Sequence, residues 1–586
     1  MHLFPVISSF QSPVRSKYTI TISYSHGNDF PASLPLQGKT IGRVLDDVTE
    51  ASPDREFVVS SAEGIRKTYH QFREEVDRFA AGLLSIGVRR TDRLGVWAPN
   101  SYSWVLTQFA AARIGAILVN LNPAYQKDDI QYSLKKVGIK AIVASGPYKT
   151  QHYYNMMAES CPELQNSTPG HIKSKTFPQL ESVIVMGDEA HPGAFSMNDV
   201  MQMGGAEERA LVDQGRKTLQ FDDVINIQFT SGTTGSPKAT SLTHFGLLNN
   251  MGIVEFMLPK TSHIVSSSSC VPTPLFHLFG MGAIIISLLN GGKVVLPSAG
   301  FDADACMRAM EEERCSHFFG TPTMLIDMLH HPELTAFDLR SFTCALTGGS
   351  MVPKTLADKL RSVIPSMEHF VIVYGMTESS GVITISRKDD APDVRFSTVG
   401  RTAPWYEVKI VDPSTGEIVP LGSPGEVCAR SPCNMTGYWG DEEKTRETID
   451  QAQWLHTGDL GTLDEDGYVR IVGRSKDVII RGGENIFPAH IEQLLFNHPK
   501  VEDVYIVGVP DKRMIEELCA CVKVKEGLTC SADEIRQYCK GKVAHYEIPR
   551  YVEFVSSFPL TMSNKVQKFK LAEEMIQKLG LEKSVD

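Results

Sequence analysis

Apolar and polar positions follow two different periods along most of the chain. Over residues 72–86, apolar side chains recur at intervals of three and four, which predicts a helix with one buried face. Short apolar runs at residues 94–98, 117–119 and 141–143 predict buried strands between helices. The alternation resumes after a polar segment at residues 160–220. Because strands and helices alternate in this way, we expect an α/β fold with largely parallel sheets.

After about residue 405 the pattern changes to short strands separated by turns, which predicts a small β subdomain. From residue 473 onwards, helical and strand patterns form a compact block that is long enough to be a separate α+β domain. We therefore predict three parts: an N-terminal extension over residues 1–40, a large domain over residues 41–472 and a small domain over residues 473–586.

Composition excludes several classes of protein. Hydrophobic residues make up 42% and charged residues 22% of the 586 positions, as in globular proteins, so a disordered or collagen-like chain is excluded. The formal net charge of −11 argues against broad nucleic-acid binding, which needs a basic surface. The longest apolar run, residues 275–289, is shorter than the about 20 residues of a membrane span. It predicts a buried helix, and we expect no transmembrane segment.

The cysteines and the N-terminus bear on the cellular compartment. Eleven cysteines without a CxxC pair predict reduced, buried thiols in an intracellular protein. Residues 1–28 contain no acidic residue and six serines, a composition typical of mitochondrial transit peptides. Only Arg15 and Lys17 are basic there and the helical amphipathicity is poor, so an ordinary flexible terminus is the alternative. We expect a mitochondrial protein, with the cytoplasm as the second option.

The most specific chemical signal is a loop of small residues after the predicted strand at 225–229. It consists of Thr230, Ser231, Gly232, Thr233, Thr234, Gly235, Ser236, Pro237 and Lys238. Backbone N–H groups of such a loop can converge on one anion, and the lysine adds a positive charge for terminal phosphates. A Walker-type loop needs another glycine spacing, so a P-loop ATPase fits poorly. Taken alone, the segment also fits a solvated polar loop.

Further polar residues follow other predicted strands. Tyr374 stands at a strand end, where its ring can stack on a purine, and Thr377 can contact a phosphate. Glu378 can hold Mg²⁺ through oxygen. Open α/β sheets bind ligands at the carboxyl ends of their strands, so these residues fit one site. Asp459 lies beside a turn and suits a ribose diol, and residues 473–485 form a last polar motif. Each motif alone also fits a capped turn or a surface ion pair.

In this order, the motifs resemble those of the adenylate-forming superfamily, which contains acyl-CoA synthetases, firefly luciferases and the adenylation domains of peptide synthetases. The resemblance covers residues 41–575. Longer stretches, such as residues 122–126, 471–480 and 565–571, resemble mitochondrial medium-chain acyl-CoA synthetases. This implies two half-reactions. A fatty-acid carboxylate attacks the α-phosphorus of ATP to give acyl-AMP and diphosphate, and the thiol of CoA then displaces AMP.

The resemblance also implies roles for individual residues. Asp459 of the large domain and Arg474, just past the predicted boundary at residue 473, would bind the ribose. The other roles in the large domain are triphosphate binding by residues 230–238, adenine contact by Gly348, Gly349, Ser350 and Tyr374, α-phosphate contact by Thr377, Mg²⁺ binding by Glu378, and acyl-carboxylate contact by His277. Those in the small, mobile domain are the hinge at Lys476, the CoA tunnel wall at Gly482, Gly483 and Glu484, and adenylation by Lys565. The expected catalytic residues are Lys565, Lys238, Thr377 and His277.

Three residues depart from the superfamily pattern, because Ala239, Ile515 and Asn564 stand where it usually has glycine. An alanine forced to positive φ would cost about 1–2 kcal/mol, and a β-branched residue would be an outlier. Two alternatives therefore stay open beside a CoA ligase. One is a non-catalytic or weakly active protein that binds acyl groups or nucleotides, and the other is an adenylating enzyme with a non-CoA acceptor. The medium-chain preference rests on the resemblance alone.

Overall fold

The structure is a computed structural model. It describes residues 22–27, 34–230, 237–259, 267–349, 352, 354–474, 477–481, 484–511, 513–560 and 566–581. Residues 1–21, on which most of the transit-peptide prediction rests, lie outside this set. None of the described helices combines the length and the apolar character that a bilayer span requires.

The helices alternate with strands through the first 400 residues and again near the C-terminus. The helices are α1 (Ile41–Ala51), α2 (Tyr69–Ser85), α3 (Tyr102–Ile114), α4 (Lys127–Val137), α5 (Tyr153–Ser160), α6 (Met197–Met203), α7 (Ala206–Thr218), α8 (His244–Met257), α9 (Leu278–Leu289), α10 (Ala303–Glu312), α11 (Pro322–Leu329), α12 (Lys354–Val363), α13 (Pro392–Ser397), α14 (Glu442–Thr448), α15 (Pro488–Phe496), α16 (Ala532–Cys539) and α17 (Lys568–Lys578).

The strands form four sheets. They are β1 (Tyr24–His26), β2 (Glu56–Ser60), β3 (Ile65–Thr68), β4 (Arg93–Trp97), β5 (Ile117–Leu121), β6 (Ala141–Ala144), β7 (Ser182–Val185), β8 (Phe195–Ser196), β9 (Val224–Thr230), β10 (Lys238–Thr243), β11 (Ser268–Cys270), β12 (Lys293–Leu296), β13 (His317–Phe319), β14 (Cys344–Gly348), β15 (His369–Met376), β16 (Gly381–Ile385), β17 (Arg401–Thr402), β18 (Glu407–Val411), β19 (Gly425–Arg430), β20 (Gly437–Tyr438), β21 (Leu455–Leu463), β22 (Val469–Arg474), β23 (Ile479–Arg481), β24 (Glu484–Ile486), β25 (Val501–Asp511), β26 (Ile515–Val524) and β27 (Tyr551–Phe554).

Two large, mostly parallel sheets form the first part of the fold. The first sheet has the order β20-β10-β9-β5-β4-β6-β7-β8, and its strands from β9 to β8 are parallel. The second has the order β17-β16-β15-β14-β13-β11-β12-β2-β3, and its strands from β15 to β2 are parallel. This confirms the predicted α/β class. The segment at 160–220, which looked merely polar in sequence, contributes β7, β8, α6 and α7.

Helices are positioned between these sheets by local signals and by burial. The side chain of Thr68 and that of Gln71 form a reciprocal capping box at the start of α2. Ser101 caps α3, which ends at Gly115 with φ of +70°. Almost every side chain of α3 is buried, so this helix lies inside the core rather than at its surface. The apolar run at 275–289 likewise forms the buried helix α9, as predicted.

The third sheet has the order β1-β18-β19-β21-β22 and is the predicted β subdomain. Its edge strand β1 comes from the segment that the sequence places in the N-terminal extension. Tyr24 of β1 pairs with Lys409 of β18 in antiparallel register. Its hydroxyl also donates a hydrogen bond to Glu407 over 2.5 Å. Part of the predicted extension is therefore integrated into the sheet, because β18 offers it an open edge.

The fourth sheet, with β24-β23-β26-β25 and β27 beside β26, belongs to the C-terminal part. It has apolar cores of its own, one against α15 and α16 and one against α17. Cys519 and Cys521 face the second of these cores, as predicted for residues two apart on a strand. All eleven cysteines are free and ten are buried, which agrees with the predicted reduced thiols. The boundary at residue 473 stays a prediction.

One buried ion pair ties the helices of the core together. The guanidinium of Arg113, 1% exposed, donates to both carboxylate oxygens of Asp46 over 2.8 and 2.9 Å. Its Nε also lies 2.8 Å from Asp77. A buried charge that loses its partner is strongly destabilising, whereas an exposed pair contributes little. Arg113 therefore depends on Asp46 for compensation of its charge.

We predict that Asp46→Ala lowers the free energy of unfolding by about 3 kcal/mol, since it leaves Arg113 with incomplete compensation. Asp47→Ala is the matched control, because Asp47 on the same helix pairs with the exposed Lys39 and Arg43. Its effect should stay below about 1 kcal/mol. Urea denaturation followed by circular dichroism measures both. Equal losses in the two variants would contradict the assigned role of the buried pair.

Candidate active site

The strand β14 ends at the carboxyl edge of the second sheet, where Gly348 pairs with Val373 of β15. The strand β15 continues to Met376, so Tyr374 lies within the strand and not at its end as predicted. A Cβ at position 348 would lie 2.6 Å from the carbonyl oxygen of Val373, so a side chain there would force the backbone to shift. Gly349 follows with φ of +82°, which glycine adopts without strain. An open glycine surface therefore lies close to Tyr374, the residue after Val373, as expected for groups that flank an aromatic base.

Tyr374 also contacts the third sheet. Its hydroxyl donates a hydrogen bond to Oδ2 of Asp459 over 2.9 Å. Nε of Arg474 lies 3.1 Å from Oδ1 of the same carboxylate, because Asp459 on β21 pairs with Arg474 on β22. Burial and the charge of Asp459 raise the pKa of Tyr374, so the phenol stays protonated and can donate. Three predicted nucleotide-binding residues from two sheets thus meet at one carboxylate.

The loop that carries Asp459 is held by its own backbone and by one glutamate. The Thr457 hydroxyl donates to the carbonyl of Val427 over 2.7 Å and accepts the N–H of Asp459 over 3.1 Å. Gly458, with φ of +70°, donates its N–H to Oε1 of Glu426 over 3.0 Å. These contacts fix the direction in which the Asp459 carboxylate points.

Glu378 is the second enclosed carboxylate, and it lies where the first and second sheets meet. Glu378 is 5% exposed and directly follows β15 and Thr377. Its Oε1 accepts hydrogen bonds from the Thr230 hydroxyl over 3.3 Å and the Tyr438 hydroxyl over 2.9 Å. Nζ of Lys238 lies 4.8 Å from the centre of the Tyr438 ring. Both ends of the predicted phosphate loop, Thr230 and Lys238, are therefore close to Glu378.

The short 3₁₀ turn Thr377–Ser379 sets the direction of the Glu378 side chain, and the residues around the turn restrict its backbone. Ser380 after the turn has φ of +57°, and its hydroxyl donates to the carbonyl of Cys433 over 2.6 Å. Gly375 before the turn approaches Gly381 so closely that a Cβ would lie 1.8 Å from the Gly381 carbonyl oxygen. A side chain at position 375 would therefore push Thr377 and Glu378 out of place.

His277 directly precedes α9 and is partly exposed. Two buried asparagines hold the segment before it. The Asn100 carboxamide accepts the N–H of Leu275 over 2.8 Å, and the Asn120 carboxamide donates to the carbonyl of Phe276 over 3.1 Å. The helix start and these two anchors set the position of the imidazole.

Several predicted residues cannot be placed. Ser231, Gly232, Thr233, Thr234, Gly235, Ser236, Ser350, Lys476, Gly482, Gly483 and Lys565 lie outside the described residues. Glu484 begins β24, and Pro237 accepts a hydrogen bond from the Tyr132 hydroxyl at its carbonyl over 2.9 Å. The predictions for the central phosphate loop, the hinge and the adenylating lysine therefore still rest on the sequence.

The three departures from glycine have different outcomes. Ala239 is buried in β10 opposite Phe229, in regular antiparallel pairing. Its φ is not positive, so the backbone strain considered for an alanine at this position does not arise. Ile515 has φ of +72° and is 64% exposed, which confirms it as a backbone outlier. Asn564 lies outside the described residues.

Four residues that hold the site residues in position were not predicted from the sequence. Tyr438 is the partner of Glu378, Glu426 holds the Asp459 loop, and the pair Asn100 and Asn120 anchors the His277 segment. Only Tyr438 had a local signal, since it lies in a short aromatic segment between glycines at 437 and 440. The other three become visible only when distant segments are brought together.

Two mostly parallel sheets define a nucleotide-binding enzyme of the adenylate-forming class, with Tyr374 and Glu378 at the carboxyl end of one of them and Asp459 of the third sheet beside Tyr374. The chain belongs to the AMP-binding enzyme family, which matches residues 45–439. The C-terminal domain of AMP-binding enzymes matches residues 490–565. The resemblance noted in the sequence is thereby confirmed.

Individual relatives agree with this assignment. The chain is 46% identical to the mitochondrial medium-chain acyl-CoA ligase ACSF2 of Danio rerio, over 96% of this chain and 92% of that protein. Among solved structures, it resembles an anthranilate CoA ligase in complex with anthranoyl-AMP, with TM-score 0.80, 25% identity and coverage of 94% and 99%. It also resembles the amide bond synthetase McbA of Marinactinospora thermotolerans, with TM-score 0.78, 26% identity and coverage of 91% and 99%.

We predict that Asp459→Asn weakens AMP binding by about 10- to 100-fold, because charge-assisted hydrogen bonds contribute about 1.5–3 kcal/mol. Asp466→Asn is the matched control, since Asp466 lies exposed on the turn between the same two strands. Isothermal titration calorimetry with AMP measures both variants. An affinity unchanged in Asp459→Asn would remove Asp459 from the nucleotide site.

Proposed function

We propose that this chain is an ATP-dependent fatty-acid–CoA ligase with a preference for medium-chain acids. It would convert a fatty acid, ATP and CoA into acyl-CoA, AMP and diphosphate. The observation that carries the proposal is the 46% identity, over 96% of the chain, to a medium-chain acyl-CoA ligase. The arrangement of Tyr374 and Glu378 at the edge of the second sheet, with Asp459 of the third sheet bonded to Tyr374, supports it, because adenylate formation needs a nucleotide held beside an acid.

In the first half-reaction, an oxygen of the fatty-acid carboxylate attacks the α-phosphorus of ATP, and the bond to diphosphate breaks. Tyr374 and the surface at Gly348 and Gly349 hold the adenine, and Asp459 with Arg474 holds the ribose. Such a reaction is accelerated mainly by positioning and by neutralisation of charge. Lys238 and Lys565 supply positive charge, while Thr377 contacts the α-phosphate and His277 lies beside the acyl carboxylate.

The surroundings of Glu378 fit Mg²⁺, because its carboxylate and the Thr230 hydroxyl are hard oxygen donors 3.3 Å apart. When bound, the ion supplies positive charge to the phosphate oxygens. Glu378 is the residue we assign to hold it. Tyr438 keeps the carboxylate in place, since its hydroxyl donates to the same oxygen over 2.9 Å.

In the second half-reaction, the CoA thiol attacks the acyl carbon of acyl-AMP, and AMP leaves. We propose that the C-terminal part turns about Lys476, so that Lys565 moves away and the segment at Gly482, Gly483 and Glu484 forms a wall for pantetheine. The separate apolar cores of the C-terminal part support this motion as a unit. The proposed division is the predicted one, with the small domain from residue 473.

A mitochondrial location is part of the proposal. The Danio rerio relative is named as mitochondrial, and residues 1–28 of this chain lack acidic residues. A cytoplasmic location is the alternative.

One observation favours a second candidate function, an adenylating enzyme with another acceptor. The amide bond synthetase McbA matches this fold with a TM-score of 0.78, at an identity close to that of the anthranilate CoA ligase. The fold therefore serves acceptors other than CoA. The backbone outlier at Ile515 is the reason to keep a weakly active or non-catalytic protein as a third candidate.

We predict that purified protein with octanoate and MgATP forms octanoyl-CoA and AMP only when CoA is present. Product analysis by liquid chromatography and mass spectrometry measures both products. Diphosphate release without any octanoyl-CoA formation in the presence of CoA would favour an adenylating enzyme with another acceptor. ATP left intact by octanoate, and by a short-chain and a long-chain acid, would favour the non-catalytic candidate. An active ligase should then be tested with a panel of acids.

We predict that Lys565→Ala slows adenylate formation by about 100-fold or more, because removal of one group that stabilises the transition-state charge has this size of effect. Thioester formation from synthetic octanoyl-AMP should change little, since the lysine acts in the first half-reaction only. Lys570→Ala is the control, because Lys570 is exposed on α17 five positions away. Stopped-flow diphosphate release and thioester assays measure the two steps. Equal rates of diphosphate release in Lys565→Ala and Lys570→Ala would contradict the role of Lys565 in adenylation.

A further inference from the structure

A group of metal-ligating side chains lies on the third sheet, away from the residues assigned to Mg²⁺. Cys428 on β19 pairs with His456 on β21, and Glu426 lies two positions before Cys428 on the same strand. Nδ1 of His456 lies 3.5 Å from Sγ of Cys428 and 2.8 Å from Oε2 of Glu426. The three donor atoms all lie within 4.8 Å of one another.

The donor set and its spacing suit a thiophilic cation. Sulfur, imidazole nitrogen and carboxylate oxygen are the ligands of Zn²⁺, and tetrahedral Zn²⁺ separates sulfur from nitrogen by about 3.6 Å. The observed separation of 3.5 Å between Cys428 and His456 matches this value. The carboxylate of Glu426 would have to withdraw from the imidazole by roughly 0.5 Å to reach its place in a tetrahedral site.

A second layer of contacts orients these donors. On the far side of the imidazole, Nε2 of His456 lies 3.7 Å from Oδ2 of Asp450. Oδ1 of Asp450 is itself fixed by the N–H of Trp454 over 2.9 Å. A carboxylate on the outer nitrogen of a histidine is the usual support of a metal ligand, because it fixes the ring and raises its basicity. A simple ion pair between Glu426 and His456 does not require a second carboxylate at Nε2 of the imidazole.

We propose that Glu426, Cys428 and His456 bind Zn²⁺ or a divalent cation of similar chemistry, with Asp450 as the group that orients His456. Sγ of Cys428 is buried and the imidazole is 31% exposed at its side chain, so the fourth position would be open to water. On binding, the cation replaces the thiol proton of Cys428 and the Nδ1 proton of His456. Both protons pass to solvent, and no oxidant or reductant is needed.

The position of this site connects it to the nucleotide. Glu426 uses Oε2 toward His456 and Oε1 toward the N–H of Gly458, which directly precedes Asp459. A cation held by Glu426 therefore shares a ligand residue with the loop that carries the proposed ribose contact. By linkage, bound AMP should change the affinity for the cation, and the cation should change the affinity for AMP by the same factor.

Titration of the full-length protein with Co²⁺ tests the site, because a cobalt–thiolate bond gives an intense near-ultraviolet charge-transfer band that other ligands lack. We expect this band to saturate at one Co²⁺ per chain and to disappear when Zn²⁺ is added. It should be lost in Cys428→Ala and retained in Cys433→Ala, which removes another buried cysteine of the same region. A band retained in Cys428→Ala, or lost equally in both variants, overturns the proposal.

Asp450→Asn gives a second test that keeps the three ligands. Asparagine can still accept the Trp454 N–H but no longer offers a negative charge to His456. The affinity for Co²⁺ should fall by about 10- to 100-fold, as for other supporting carboxylates. Circular dichroism verifies that each variant is folded. If Cys428→Ala does not fold, the Asp450→Asn titration decides, and an unchanged affinity there overturns the proposal.

Discussion

Two enclosed carboxylates hold the site together, because each accepts hydrogen bonds from a different sheet. Glu378 follows the second sheet and accepts from Thr230 and Tyr438 of the first. Asp459 belongs to the third sheet and accepts from Tyr374 of the second. A carboxylate removed from water is stable only when donors or cations satisfy it. The positions of the three sheets are thus tied to the same groups that we assign to substrate and ion.

The two carboxylates differ in the groups that hold them. Glu378 is almost fully buried, while Lys238 and Arg474 remain partly exposed beside it and beside Asp459. Glu378 is therefore held by the neutral hydroxyls of Thr230 and Tyr438, whereas Asp459 accepts from the Tyr374 hydroxyl and also pairs with Arg474.

Much of the fold could be predicted from local pattern, and much of its assembly could not. Buried strands such as β4 and β5 are short apolar runs, and another such run marks β15, which contains Tyr374 and is followed by Glu378. By contrast, the pairing of β1 with β18 joins segments nearly 400 positions apart, and the contact of Glu426 with Gly458 depends on how two strands lie side by side. Neither leaves a periodic trace in the sequence. The effect of Ala239 was equally invisible, because it depends on a backbone angle.

Ile515 is a position where the departure from glycine strains the backbone. It begins β26, where Arg481 of β23 and Asp511 of β25 are its partners in the sheet. Its positive φ costs free energy that glycine would not lose, yet the side chain is exposed and distorts no packed core. The fourth sheet also retains its own apolar cores on both faces. The strain is therefore local to one strand end, and it leaves the apolar cores of the fourth sheet intact.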